Sequence, residues 1–311
     1  MQVITNVKDL KPGIHTGVGL GNFDGLHIGH MALIGTLISE CRLNGIASVV
    51  YTFMKHSENI LRKNLYNPLI TSNGQKTGIL DSMDIDFVFY QEFDEIFSRL
   101  SPEEFVKTVL IGQLNIRIAV VGFNYRFGYM GKGDTELLKR YGEKYGFKVI
   151  VVPPVRVNSE IVSSTLIREY IKKGKMDRVF QLLGRHFSLR GTVVGGRKIG
   201  RTLGFPTANI IADPEMVVPA YGVYITKTFL NCQWMNSVTN MGIAPTVRGE
   251  GGSFSIETHI LDYDNDLYGN EIEVCFIEKL RGEKRYDSVD ALKKQVAEDI
   301  SKTKHYWEVL K

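Results

Sequence analysis

The sequence predicts a two-part chain: an α/β domain with a parallel sheet, followed by a small all-β domain that ends in a helix. Three observations carry this expectation. At 311 residues the chain exceeds the usual single-domain size. From residue 17 to about 152, short β-rich runs alternate with helical ones, as in a parallel sheet covered by helices. At about residue 187 the periodicity changes to strands alone. We place the boundary after Gly184, giving domains 1–184 and 185–311.

In the first part the expected strands are Gly17 to Leu20, Ile46 to Phe53, Phe87 to Tyr90, Arg117 to Gly122 and Phe147 to Val152. A helix runs from about Ile28, with apolar residues at helical spacing, and should stop at Gly45. Another starts at Ser101-Pro102-Glu103-Glu104, where Ser101 caps, Pro102 suits the first helical position and Glu104 completes a capping box. After Pro153-Pro154, two short helices run to about Lys173 and from Lys175 to Leu183. In the second part five strands are expected: Phe187 to Val194, Gly222 to Phe229, Trp234 to Met241, Phe254 to Leu261 and Ile272 to Leu280. A small closed or Greek-key β-barrel accommodates them. An amphipathic helical segment, Ser288 to Leu310, closes the chain with Val289, Leu292, Val296 and Ile300 on its apolar face.

Composition excludes several classes. Hydrophobic residues make up 43% and charged residues 23%, ordinary for a soluble globular protein with a real core. A formal charge of +4 is too small and dispersed for a nucleic-acid-coating protein. The three cysteines, Cys41, Cys232 and Cys275, are odd in number and far apart, which points away from a disulfide framework and toward a reducing cytoplasm. No apolar run approaches the ~20 residues of a membrane helix, so neither a membrane nor a nucleic-acid partner is expected.

The stretch Gly21-Asn22-Phe23-Asp24-Gly25-Leu26-His27-Ile28-Gly29-His30 lies where an apolar strand ends and a helix begins. Its glycines clear space, the helix start presents unpaired N–H groups, and two histidines one turn apart point at the same space. A phosphate suits that geometry. As a zinc pair, His27 and His30 lack a third protein ligand at a recognisable spacing. Ligands in such sheets bind beyond the carboxyl ends of strands, where Gly122-Phe123-Asn124-Tyr125-Arg126-Phe127-Gly128 also lies. Ser163-Ser164-Thr165-Leu166-Ile167-Arg168, hydroxyls at a helix start with an arginine in its first turn or so, is a second anion-binding arrangement.

Two further motifs are set aside. Gly195 to Thr202 nearly spells a phosphate-binding Walker loop, but Leu203-Gly204-Phe205-Pro206 cannot open the helix such a loop needs. Asp262-Tyr263-Asp264-Asn265-Asp266 with Glu273 mimics calcium-loop spacing, yet Leu267 stands where glycine belongs, so an acidic hairpin turn is expected.

The first motif resembles the signature of the nucleotidyltransferase superfamily, which includes class I aminoacyl-tRNA synthetases and cytidylyltransferases and has a Rossmann-like fold. Ser163 to Arg168 resembles its second signature. Gly122 to Gly128, with Gly131 and Asp134, resembles the intervening loop. Gly200-Arg201-Thr202-Leu203-Gly204-Phe205-Pro206-Thr207-Ala208-Asn209 resembles the signature of riboflavin kinases. Pro219 to Tyr224, Asn240 to Thr246 and Glu257 to Asp262 agree with it. From about Gly17 to Trp307 the chain resembles the bacterial bifunctional riboflavin kinase and FAD synthetase family.

That resemblance implies a barrel that phosphorylates riboflavin with MgATP and an N-terminal domain that adenylylates FMN to FAD. Gly21, Phe23, Asp24, Gly25, His27, His30, Asn124, Ser163, Ser164, Thr165 and Arg168 would bind the ATP of the adenylyltransferase, with His27 and His30 catalytic. In the kinase Gly200, Thr207 and Asn209 would bind ATP, with Thr207 and Asn209 on Mg²⁺ and Glu257 accepting the hydroxyl proton. His56, Glu257 and Arg281 would bind flavin. Two departures stand out. Met54-Lys55-His56-Ser57 replaces a Pro-His-Pro-type turn, and Gly195 stands where the family often has histidine. The alternatives are a kinase whose N-terminal domain only binds or senses a nucleotide or flavin, and another nucleotidyltransferase or synthetase. A lysine-containing second signature, which a synthetase would carry, is absent.

Overall fold

The computed structural model describes residues 1–6, 9–10, 13–54, 67–195, 204–243 and 254–309. The chain divides into two compact units, Met1–Ser164 and Thr165–Lys311.

The first unit carries β1 (Gln2–Ile4), β2 (Thr16–Leu20), α1 (Ile28–Asn44), β3 (Ala47–Phe53), α2 (Asn73–Asp81), β4 (Phe87–Gln91), β5 (Ile116–Gly122), α3 (Thr135–Tyr145) and β6 (Lys148–Val152). A two-stranded hairpin, β7 (Arg156–Val157) and β8 (Glu160–Ile161), follows. The sheet order is β1-β4-β3-β2-β5-β6 with every pair parallel. The strands expected from alternation are all present. β1, β7 and β8 are additional, and at two or three residues each they are too short to display a period.

The sequence Thr-Gly-Val-Gly-Leu of β2 explains how α1 reaches the sheet. Val18 and Leu20 enter the core cluster that holds Phe105 and Val109. A Cβ on Gly17 would meet Cys41 Sγ at 2.3 Å, and one on Gly19 would meet Leu37 at 3.1 Å. The helix therefore lies directly on bare backbone. It ends at Gly45, whose φ of 62° gives the left-handed cap expected there. The capping box at Ser101 also forms, with Ser101 Oγ accepting from Glu104 N–H and Glu104 Oε2 accepting from Ser101 N–H. After Pro102–Glu104, however, the coil widens into π turns over Phe105–Gln113.

From β2 the chain builds outward to β3 and β4 on one side, then crosses to add β5 and β6 on the other. The carboxyl ends of β2 and β5 thus flank a topological switch point, where open α/β sheets bind ligands.

The second unit takes most of α4 (Ser164–Lys172), then α5 (Met176–Leu183), β9 (Phe187–Val194), β10 (Ala208–Ala212), β11 (Gly222–Leu230), β12 (Gln233–Ile243), β13 (Phe254–Ile260), β14 (Glu271–Arg281) and α6 (Val289–Val309). The strands close into a six-stranded antiparallel barrel ordered β10-β13-β12-β11-β14-β9. The order β14-β11-β12-β13 is a Greek key.

Two expectations are corrected here. The barrel has six strands, not five, because Ala208–Ala212, which lies outside the five expected strands, pairs with both β9 and β13. Pro206 just before it and Asn209 at its second position hide the strand, whose pairing is entirely non-local. The acidic run Asp262 to Asp266 is no hairpin turn either. It joins β13 to β14, which are not neighbours, so it is a crossover connection.

The barrel interior is partly polar. Thr226 bonds to Ser237 and Thr239 at 2.7 and 2.8 Å, Thr228 to Ser237 at 2.8 Å, and Thr239 to Thr258 at 2.9 Å. All five are buried, and the bonds link them in one chain in which each hydroxyl has at least one partner, which offsets the cost of dehydration. Strand alternation then turns the odd-numbered residues of β13 outward.

Candidate functional site

The turn between β2 and α1 is held in an unusual course. Phe23, Gly25 and Leu26 have φ of 49°, 82° and 39°, and the two non-glycine residues among them are fully buried. Such strain persists only where surrounding contacts over-determine it. The contacts come from Thr52 and from residues 70–76. Asp24, 2% exposed, accepts from Ile70 N–H at 3.0 Å and Thr71 N–H at 3.2 Å. Gly25 N–H donates to Thr71 Oγ1 at 3.1 Å. The Asn22 carbonyl accepts from Thr52 Oγ1 at 2.9 Å and from Lys76 Nζ at 3.0 Å.

His27 caps α1, its Nδ1 accepting from His30 N–H at 3.2 Å. A neutral His27 therefore carries its hydrogen on Nε2, as a donor. The two imidazoles stack with centroids 3.6 Å apart, and Phe23 meets the His30 ring edge-on at 5.2 Å. A ring donor and a second imidazole are thus stacked at a helix N-terminus, which favours anions. Ser164 Oγ donates to the Asp24 carbonyl at 2.9 Å, so the first and second signatures meet although 140 residues separate them.

At the end of β5, Asn124 is exposed, while Phe127 is buried in the core. Asp134 caps α3 by accepting from Leu137 N–H at 2.9 Å. Ser163 is half-buried, Thr165 exposed, and Arg168 buried on α4. His56 and Gly200 lie outside the described residues. The rings of Phe53, Phe93 and Phe97, at 5.2 to 5.8 Å from one another, form a half-buried aromatic cluster beyond the ends of β3 and β4.

The barrel holds a second constellation, set by register. Glu257 pairs with Asn209 on β10 and with Asn240 on β12. The three side chains stand in one row on the outer face, with neighbouring Cβ atoms about 5 Å apart. Thr207 immediately precedes β10. His259, two residues along the same face, has Nδ1 2.8 Å from the Pro206 carbonyl and its ring edge-on to Phe205. That contact fixes the approach of Thr207 and Asn209.

Arg281 is placed otherwise. It lies on β14, separated from β13 by β12 and β11, and its guanidinium forks onto Asp299 of α6 at 2.8 to 3.2 Å. Its fork is committed to holding α6 on the barrel.

Sequence reasoning missed Lys76, the partners of Asp24, Asn240, His259 and Asp299. A signal existed for the first: Ser72-Asn73-Gly74-Gln75 spells the capping box that forms at the start of α2. Among the described residues, no group of three or more His, Cys, Asp or Glu is gathered as a metal set.

A Rossmann-like domain with a phosphate-suited turn, followed by a Greek-key barrel with a carboxylate between two carboxamides, defines a two-site nucleotide-using protein. Comparison with known proteins makes this specific. The FAD synthetase family model matches residues 13–166 and the riboflavin kinase model residues 183–307. A bifunctional riboflavin kinase/FMN adenylyltransferase of Buchnera aphidicola is 34% identical over the whole of both chains. One from Escherichia coli K12 is 33% identical over 96% of each. The chain belongs to the bifunctional riboflavin kinase/FMN adenylyltransferase family. A crystal structure described as a macrolide-efflux protein from Streptococcus pneumoniae is 32% identical with a TM-score of 0.87, covering 97% of this chain and 98% of that one. In the present chain no described helix is long and apolar enough to cross a membrane.

Proposed function

We propose that the chain makes FAD from riboflavin in two steps, each using ATP, one in each domain, with the functional boundary after Gly184. The observation that carries the adenylyltransferase reading is the bond from Ser164 to the Asp24 carbonyl, which joins both signatures around one helix N-terminus at the sheet's switch point. His27, His30 and the first N–H groups of α1 hold the ATP phosphates, with Gly21, Phe23, Gly25, Asn124, Ser163 and Ser164 completing the cradle; Thr165 and Arg168 are assigned to the same ATP by resemblance. Asp24 acts through the backbone it ties down. An FMN phosphate oxygen attacks the α-phosphorus, and the bond to the bridging oxygen breaks to release pyrophosphate. A phosphate dianion is already a nucleophile, so positioning and charge stabilisation supply most of the rate. The Phe53, Phe93 and Phe97 cluster offers an apolar wall for the flavin ring, and the resemblance assigns His56 to flavin binding.

In the barrel, Glu257 accepts the proton of the ribityl 5′-hydroxyl while that oxygen attacks the γ-phosphorus and ADP leaves. Asn209 and Thr207, with Gly200, hold the nucleotide. The donors in this row are all oxygen-bearing, which fits Mg²⁺. Thr207 and Asn209 would hold that ion, and it would neutralise the β- and γ-phosphate charge. The pairing of Arg281 with Asp299 argues for a role through α6 in place of direct flavin contact. Riboflavin, FMN and ATP are the partners we assign, and the cytoplasm, where free thiols such as those of the three cysteines persist, is the setting.

Purified protein incubated with riboflavin and MgATP should yield FMN and then FAD, resolved chromatographically. No FMN would overturn the kinase reading. FMN without FAD would leave the first domain as a binding or sensing module.

A further inference from the structure

Lys76 is an ammonium buried where the chain would do better with a neutral group. It is 6% exposed on the first turn of α2, and its Nζ reaches the Asn22 carbonyl at 3.0 Å and Thr52 Oγ1 at 3.4 Å, both neutral acceptors. Below it, at 5.8 Å, lies the Tyr90 ring of β4. Asp24 is the carboxylate that acts on it, yet Asp24 is already engaged by the N–H groups of Ile70 and Thr71. A buried charge without a dedicated counter-ion destabilises a fold, and a methionine of similar shape would avoid that cost. The place of the ammonium is what gives it a use. It pins the first carbonyl of the strained Asn22–Leu26 turn, whose far end carries the stacked histidines.

We propose that Lys76 is a positioning residue for adenylyl transfer, holding the Asn22–Leu26 turn in its anion-binding course and supplying a buried positive charge that the bound polyphosphate balances. The inference rests on the adenylyltransferase reading of the first domain and extends it to a residue outside both signatures.

Two consequences follow. Burial lowers the Lys76 pKa from its ordinary 10.5 to about 8. The charged form is the working one, so kcat/KM for FAD formation should fall as pH rises through about 8. The groups facing the ammonium are Asp24 from the turn, Tyr90 from β4 and the uncharged Thr52 from β3; burial holds the Tyr90 phenol above its ordinary value. For stability the sign is opposite. With the folded pKa below the unfolded one, the unfolded chain binds more protons between about 8 and 10.5, and stability rises with pH in that window.

The test uses the full chain with FMN and MgATP supplied. Wild type should make FAD; if it does not, the adenylyltransferase reading itself fails. Given wild-type activity, Lys76→Met should lose about 10- to 100-fold in kcat/KM and lose the alkaline limb near pH 8. Its melting temperature at pH 7 should equal or exceed that of wild type, and Lys76→Arg should recover part of the rate. Should Lys76→Met fold poorly, the wild-type pH profile decides alone: a flat kcat/KM from pH 7 to 9.5 overturns the proposal. Wild-type kinetics and an unchanged pH profile in Lys76→Met overturn it equally.

Discussion

The two sites of this chain are built by opposite means. In the first unit, the groups we assign to phosphate binding sit on a turn between strand and helix, and distant segments hold that turn by side-chain-to-backbone bonds: Asp24 to residues 46 and 47 positions away, Ser164 across 140. In the barrel, strand register sets Asn209, Glu257 and Asn240 side by side, and the contact of His259 with the Pro206 carbonyl is the local tie beside them. A turn can wrap around a phosphate but must be braced against its own strain. A strand face is rigid from the start, yet it can offer only what alternation brings to the surface.

If the two constructions are independent, each can be broken without the other. The largest effect is expected from Glu257→Gln, which keeps the shape of the row and removes its proton acceptor. FMN formation should fall by about 10²- to 10⁴-fold, while FAD formation from supplied FMN stays at the wild-type rate. Loss of both activities would show that the barrel and the first unit share a site.

His30→Ala should lower FAD formation by about 10²- to 10³-fold and spare FMN, measured in the same riboflavin assay. An FAD rate within twofold of wild type would remove His30 from the phosphate cradle.

Asp24→Ala probes the brace directly. It leaves two buried N–H groups unpaired, and the transition of the first unit in calorimetry should lose about 1 to 3 kcal/mol, with the barrel transition unmoved. An unchanged first transition would mean the turn holds its own course. The smallest effect belongs to Gly45→Ala, where no atom crowds the site and only the left-handed φ opposes a side chain. That change should cost about 1 kcal/mol and leave both activities intact.

The same contrast decides what could be read in advance. Helix α1 and its stop, the capping box at Ser101 and most strands were legible because period and caps are local properties of the chain. The Gly21 to His30 turn was legible for the same reason, its chemistry being contiguous. Strand β10 was not, since nothing in Ala208–Ala212 outweighs Pro206 and Asn209 except two partners far away in sequence. Nor was the pairing of Arg281, which the resemblance assigned to flavin, with Asp299 on a later helix.

The sequence by itself determined that this protein has an α/β part followed by a β part, and that a glycine-rich turn opens the first helix of the α/β part. These follow from residue types at short spacing, which the chain states wherever it folds. Tertiary structure alone decided that Asp24 is a brace, that Lys76 is buried beneath the turn, that Glu257 stands between two asparagines, and that the acidic run crosses over instead of turning back. Each of those depends on which distant segments become neighbours, and that is settled by burying the whole core at once.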